Sequence, residues 1–127
     1  MKYAYCRKNY RICDFCIGIP VTLVHTEPFR NLSVDACYLY SYLLYDQMLS
    51  KRVDKKGYGF VTCTKTGLAT VLRCSRKKAE RVLSELSDKG AGLLAVSAVD
   101  PESLIIHVKD YARPILPPNA KKKRGYY

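Results

Sequence analysis

TKTGLATVLRCSRKKAERVLSELSDKG, residues 64–90, is the stretch on which the fold turns. Thr64 is a candidate N-cap, and a brief helix over 65–72 would turn Leu68, Ala69 and Leu72 inward. Gly67 weakens that helix by about 1 kcal/mol relative to alanine. RCS, residues 73–75, is a tight connection. Ser75 caps a second helix whose apolar stripe is Ala79, Val82, Leu83 and Leu86. Gly90 suits the C′ position, where a left-handed backbone is wanted. Two short amphipathic helices joined this closely read as a helix-turn-helix.

The charge on the second helix is unusual. On a helical wheel the apolar stripe centres on Ala79, with Lys77, Arg81, Ser84 and Asp88 on the far side. Arg76 and Lys78 flank the N-terminal end. Bases there oppose the positive pole of the helix dipole, so the placement is poor for folding and good for holding an anion. In a helix-turn-helix the second helix enters the major groove by its N-terminal part. Arg76, Lys77 and Arg81 are therefore candidates for base or phosphate contact. Ser75 and Lys78, with Thr64 and Lys65 at the start of the preceding helix, complete the candidate DNA-binding set. The plainer reading is a solvated helix face with partial i, i+4 compensation in RKKAER.

Working outward, LSVDACYLYSYLLYDQMLSKR (32–52) carries the strongest helical pattern. Ser33 is its N-cap, and Ala36, Leu39, Tyr40, Leu43, Leu44 and Gln47 follow the i, i+3, i+4 spacing. Tyr38, Tyr42, Tyr45 and Leu49 line the opposite face. A helix apolar nearly all round buries both faces, so this one needs the N-terminal strand or a second subunit. That strand is ICDFCIGIP (12–20), which alternates Ile12, Asp14 and Cys16 against Cys13, Phe15, Ile17 and Ile19 until Pro20 ends it. A loop through HTEPFRN follows. DKKGYG is a turn and FVTC a short strand. LLAVSAV and LIIHVKDY form a hairpin joined by DPES. ARPILPPNAKKKRGYY is proline-rich, then basic, and reads as an extended tail. The expected fold is mixed α/β, mainly α: a winged helix-turn-helix with an N-terminal strand and a C-terminal hairpin wing. The domain would run over 1–111 and the tail over 112–127.

Composition fits one domain of 127 residues with a net charge of +11. Such an excess attracts polyanions, and nucleic acid is the commonest in a cell. A membrane partner would need a basic amphipathic helix or a lipidation signal, and neither is visible. No apolar run approaches the roughly 18 residues of a spanning helix. The start, MKYAYCRKNYR, is basic with no apolar stretch after it, so a cytoplasmic location is expected. The six cysteines, at 6, 13, 16, 37, 63 and 74, then read as small buried hydrophobes with free thiols.

Other chemistries find little support. Cys13 and Cys16 form a C-x-x-C, but on a strand their side chains point to opposite faces, and His25 and His107 are isolated. No metal and no cofactor is implied. GYG and GAG are too short for a phosphate loop and lack its lysine. Asp46 and Asp54 lie near a helix end and a turn, where acids are ordinary, so the chain does not read as an enzyme. Tyr38, Tyr42 and Tyr45 could stack on unpaired bases or pack in an interface, and packing suits them better. KKKR in the tail either adds non-specific affinity or links to a further domain.

The chain resembles a known family. FCIGIPVTL, LSVDACYLYSYLLYDQMLS, TKTGLATVLRCSRKKAERVLSELSDKGAGLL and HVKDY, in that order over residues 14–111, are similar to the N-terminal domain of RepA_N-type replication initiators. These occur on plasmids and mobile elements of Gram-positive bacteria. The resemblance implies a winged-helix domain, often dimeric, that recognises repeats at a replication origin. SRKKAER matches the recognition helix, and Tyr38, Tyr42, Tyr45 and Leu49 become a candidate dimer surface. Two features depart from the family. Its wing is usually basic and glycine-rich, whereas SAVDPES here carries two acids. Its initiators usually carry a further C-terminal domain, so this chain reads as an excised domain or a short paralogue.

The expectation is therefore sequence-specific binding of double-stranded DNA by a homodimer, at an origin. Host replication proteins join as partners if a further C-terminal domain exists. The alternatives are a transcriptional regulator of the same fold, and a winged helix used for protein contact, for which the acidic wing is the best argument.

Overall fold

Ser33 sets the start of the longest helix. The computed structural model describes residues 2–9 and 16–113, and in it α2 (Val34–Ser50) begins where the Ser33 hydroxyl accepts the Ala36 N–H at 3.1 Å. It buries Ala36, Cys37, Leu39, Tyr40, Ser41 and Leu43. Leu44 and Tyr42 pack partly buried against the same core. The helix stops at Lys51, which takes a left-handed conformation (φ 53°).

Strand β1 (Val61–Thr64), helix α3 (Lys65–Leu72), helix α4 (Arg76–Leu86) and the hairpin β2 (Leu94–Ala98) and β3 (Ser103–Val108) follow. The described sheet has three antiparallel strands in the order β1-β3-β2. Val61 lies opposite Ile106, and Leu94 opposite Val108. Val61, Leu94, Leu104, Ile106 and Val108 point into the core shared with α2, α3 and α4. Helix, strand, two helices and a hairpin in this order make a winged helix.

Two expectations fail locally. Residues 16–20 form no strand, and residues 10–15, with Cys13, lie outside the described residues. Instead a short helix α1 (Val21–His25) follows Pro20, whose carbonyl accepts the Leu23 N–H at 3.0 Å. It buries Leu23, and the Leu23 carbonyl faces the Cys37 thiol at 3.9 Å. The N-terminal segment thus covers part of α2 as a helix. Alternation can sort residues to two faces, but a strand also needs a ladder partner, which alternation does not supply.

The second failure is at Gly90. Helix α4 ends at Leu86, and the glycine in the left-handed region is Gly92 (φ +72°). Gly90 serves closeness instead. The chain doubles back so that Ala91 N–H meets the Glu85 carbonyl and Leu93 N–H meets that of Leu86. A Cβ at Gly90 would collide with the Glu85 carbonyl. The tail beyond residue 113 lies outside the described residues.

Candidate nucleic-acid interface

Both helix starts are built by hydroxyl caps. Thr64 Oγ1 accepts the Gly67 N–H at 2.9 Å, and Ser75 Oγ accepts the Lys78 N–H at 3.1 Å. These two candidates spend a hydroxyl lone pair on capping. Ala79, Val82, Leu83 and Leu86 bury one face of α4. Arg76, Lys77, Lys78, Arg81 and Ser84 are left exposed. The first turn of α4 contains no acid.

Acids from elsewhere in the fold engage some of these bases. Arg76 Nη2 lies 2.7 Å from Glu102 Oε2 in the wing. Lys78 Nζ lies 3.2 Å from Asp35 Oδ2 in the first turn of α2. Lys65 Nζ lies 3.4 Å from Glu80 Oε1, so the compensation expected within RKKAER runs between α3 and α4 instead. Among the described residues no acid pairs with Lys77 or Arg81. They sit four residues apart on the outward stripe, where side chains at this spacing are neighbours.

The wing's two acids do not project away from the domain. Asp100 Oδ1 accepts the N–H groups of Glu102 and Ser103 at 2.8 and 2.7 Å, closing the turn. Those bonds, Ser103 first, hold its carboxyl below the ordinary aspartate range. Glu102 folds back onto the helices. Its Oε1 accepts the Thr66 N–H at 2.9 Å, and its carbonyl accepts the Lys65 N–H at 3.0 Å. The Thr66 bonds, then the charges of Arg76 and Lys65, hold its carboxyl below the usual glutamate range. An anion at the start of α3 also favours the helix dipole.

Sequence reasoning missed Glu102 and Asp35 as partners of the basic helix. No local signal marks them, because the pairing joins separate elements.

The tyrosine face is partly covered. Tyr42 is half-buried against the core, Tyr45 is half-buried, Tyr38 is 37% exposed and Leu49 62% exposed. At the other end of the sheet His107, isolated in sequence, meets Asp54: Nε2 to Oδ2 is 3.0 Å. Asp54 also accepts the N–H groups of Lys56 and Tyr58, so this pair ties the 53–59 turn to β3. Among the described residues no cluster of three or more His, Cys, Asp or Glu side chains could hold a metal ion. No helix among them is long and apolar enough to cross a membrane.

Residues 15–115 match the family described as replication initiator protein A (RepA) N-terminus. None of the curated proteins matches the chain. Solved structures are similar as well, among them three replication- or DNA-related ones by title. One titled "N-Terminal domain of DNA binding protein" has a TM-score of 0.62 at 21% identity, covering 83% of this chain and 79% of its own. One titled "Structure of MDR initiator" has a TM-score of 0.60 at 21% identity, covering 84% and 83%. One titled "Structure of Rep-DNA complex" has a TM-score of 0.62 at 21% identity, covering 82% and 79%. At this identity the likeness bears on the fold.

Proposed function

We propose a DNA-binding role on one premise: the chain belongs to the family of replication initiator protein A N-termini. The proposed ligand is double-stranded DNA, read in a sequence-specific way at repeats of a replication origin. Helix α4 enters the major groove by its first two turns.

The observation that carries this reading is the pair Lys77 and Arg81. They are exposed, outward and without an acid partner among the described residues, on the second helix of a helix-turn-helix. Uncompensated bases at that place serve phosphate or base contact better than they serve stability. Lys65, Lys78, Thr64 and Ser75 sit beside them and would contribute backbone contacts through their remaining donors. A fold neighbour whose title names a Rep-DNA complex supports the same reading.

The proposed role is binding alone, without a catalytic step. Tyr38, Tyr45 and Leu49, with Tyr42 behind them, would meet a second copy, giving half-sites spaced by whole helical turns. The cell compartment would be the bacterial cytoplasm, and host replication proteins would join through any further domain. The acidic wing, which favoured a protein-contact role, loses that weight because Glu102 is turned onto α3 and α4.

Fluorescence-anisotropy titration tests the proposal. The duplex flanking the chain's own coding sequence is compared with a scrambled duplex across a salt series. Tighter binding to the flanking DNA that persists at physiological salt is expected. Equal, weak binding that vanishes with salt contradicts sequence reading and leaves only the charge.

A further inference from the structure

The departure of this wing from a basic one has a positive use. Glu102 joins three pieces of the fold: its backbone lies in the wing, its Oε1 takes the Thr66 N–H of α3, and its Oε2 takes the Arg76 guanidinium of α4. Its own carbonyl takes the Lys65 N–H. The carboxylate is thus fixed before anything binds, and it fixes the arginine in turn.

We propose that Glu102 is a positioning residue for base reading: it holds the Arg76 guanidinium at the first turn of α4, and Arg76 so held reads a guanine in the major groove. This rests on the DNA-binding reading above.

The chemistry favours that assignment over a phosphate contact. A guanidinium presents five N–H donors in a planar fork. Glu102 meets one terminal nitrogen, Nη2, which leaves donors for a second two-acceptor partner. Guanine offers N7 and O6 in the major groove, and bidentate arginine is the commonest partner for them. Arg76 is half exposed, so those donors are open to solvent.

The paired carboxylate also offsets the positive charge, which lowers the attraction of Arg76 for any phosphate whatever the sequence. Lys77 and Arg81 carry no such offset and suit the backbone. Holding a flexible side chain in place before binding reduces the freedom lost on binding. The other two pairs made by candidate DNA-contacting bases, Lys78–Asp35 and Lys65–Glu80, are longer and end in ammonium groups, which lack the fork.

The test is selection from a randomised duplex library by the full chain and three variants: Arg76→Ala, Glu102→Gln and the double change. Gln keeps an acceptor for the Thr66 N–H and drops the charge facing Arg76. Wild type is expected to enrich a motif with a guanine that Arg76→Ala loses, by about tenfold or more in relative affinity. Glu102→Gln should weaken that same base pair and no other, and should add nothing to the base preference in the Arg76→Ala background. Its binding to scrambled duplex at low salt should rise, because one more cation is released toward phosphate. A Glu102→Gln motif identical to wild type overturns the proposal, as does a change at base pairs that Arg76→Ala leaves alone. Should Glu102→Gln not fold, Glu102→Asp takes its place, since the shorter acid withdraws from Arg76 and must show the same loss. If wild type enriches no motif, the DNA-reading role itself falls, which is a separate and recognisable outcome.

Discussion

The side-chain amide of Gln47 pairs with the backbone of Val108 as a neighbouring strand would. Its Oε1 accepts the Val108 N–H at 2.9 Å and its Nε2 donates to the Val108 carbonyl at 3.1 Å. Two turns earlier on the same helix, the buried Tyr40 hydroxyl donates to the Lys109 carbonyl at 2.6 Å and accepts the Tyr111 N–H at 3.2 Å. Helix α2 thereby fixes where β3 ends. Gln47→Leu leaves two half-buried backbone groups unpaired and should cost about 1–3 kcal/mol. Tyr40→Phe should cost a similar amount. Thermal melts check both; a melting temperature within a degree of wild type for Gln47→Leu contradicts this role.

Burial should order the reactivity of the thiols. Burial, then the charge of Asp46, pushes the Cys63 thiol up to about 11. Burial, then Glu85, raises that of Cys37. Since the thiolate is the nucleophile, both should label slowly in the native protein at pH 8, while the exposed Cys6 labels fast. Equal rates at Cys6 and Cys63 without denaturant would show that β1 does not pack as described.

Acid should loosen the wing. The carboxyls of Glu102 and Asp100 lie below their ordinary range in the fold. A depressed folded pKa gives stability that is full above the unfolded value, near 4, and lost as pH falls through the folded one. Unfolding followed from pH 6 downward should therefore show stability falling below about pH 4, with a shallower fall in Glu102→Gln. An identical slope in the two proteins contradicts the bonds assigned to that carboxylate.

The proposed dimer surface gives a sharp outcome at Leu49. It is exposed and lies one turn beyond Tyr45, so Leu49→Asp should leave the fold intact while separating two copies. Light scattering should show a dimer for wild type and a monomer for Leu49→Asp and Tyr45→Asp. A dimer surviving both changes places the interface elsewhere, and a monomeric wild type removes it.

Much of the fold was legible because its signals are local. Ser33, Thr64 and Ser75 each cap the helix that the sequence suggested, since a hydroxyl reaches an N–H three residues on in the same chain. Asp100-Pro101 likewise marks the turn it makes. What stayed hidden needs distance in sequence and closeness in space. Glu102 looked like an acid that suited the wing to protein contact until its partners, 26 and 36 residues away, came beside it. Gln47 looked like one more member of an apolar stripe. Gly90 looked like a conformational device, although its place is set by the Glu85 carbonyl beneath it. Of the candidate site, Lys77 and Arg81 were readable from the wheel, because their direction depends only on which face is apolar.

Lys77 and Arg81 also offer the most direct test. Both side chains point outward from α4, so Lys77→Glu with Arg81→Glu should change stability by no more than about 1 kcal/mol. Duplex affinity measured by anisotropy on the folded double variant should fall at least about a hundredfold at physiological salt. Binding at wild-type strength by that folded variant would contradict α4 as the element that meets DNA.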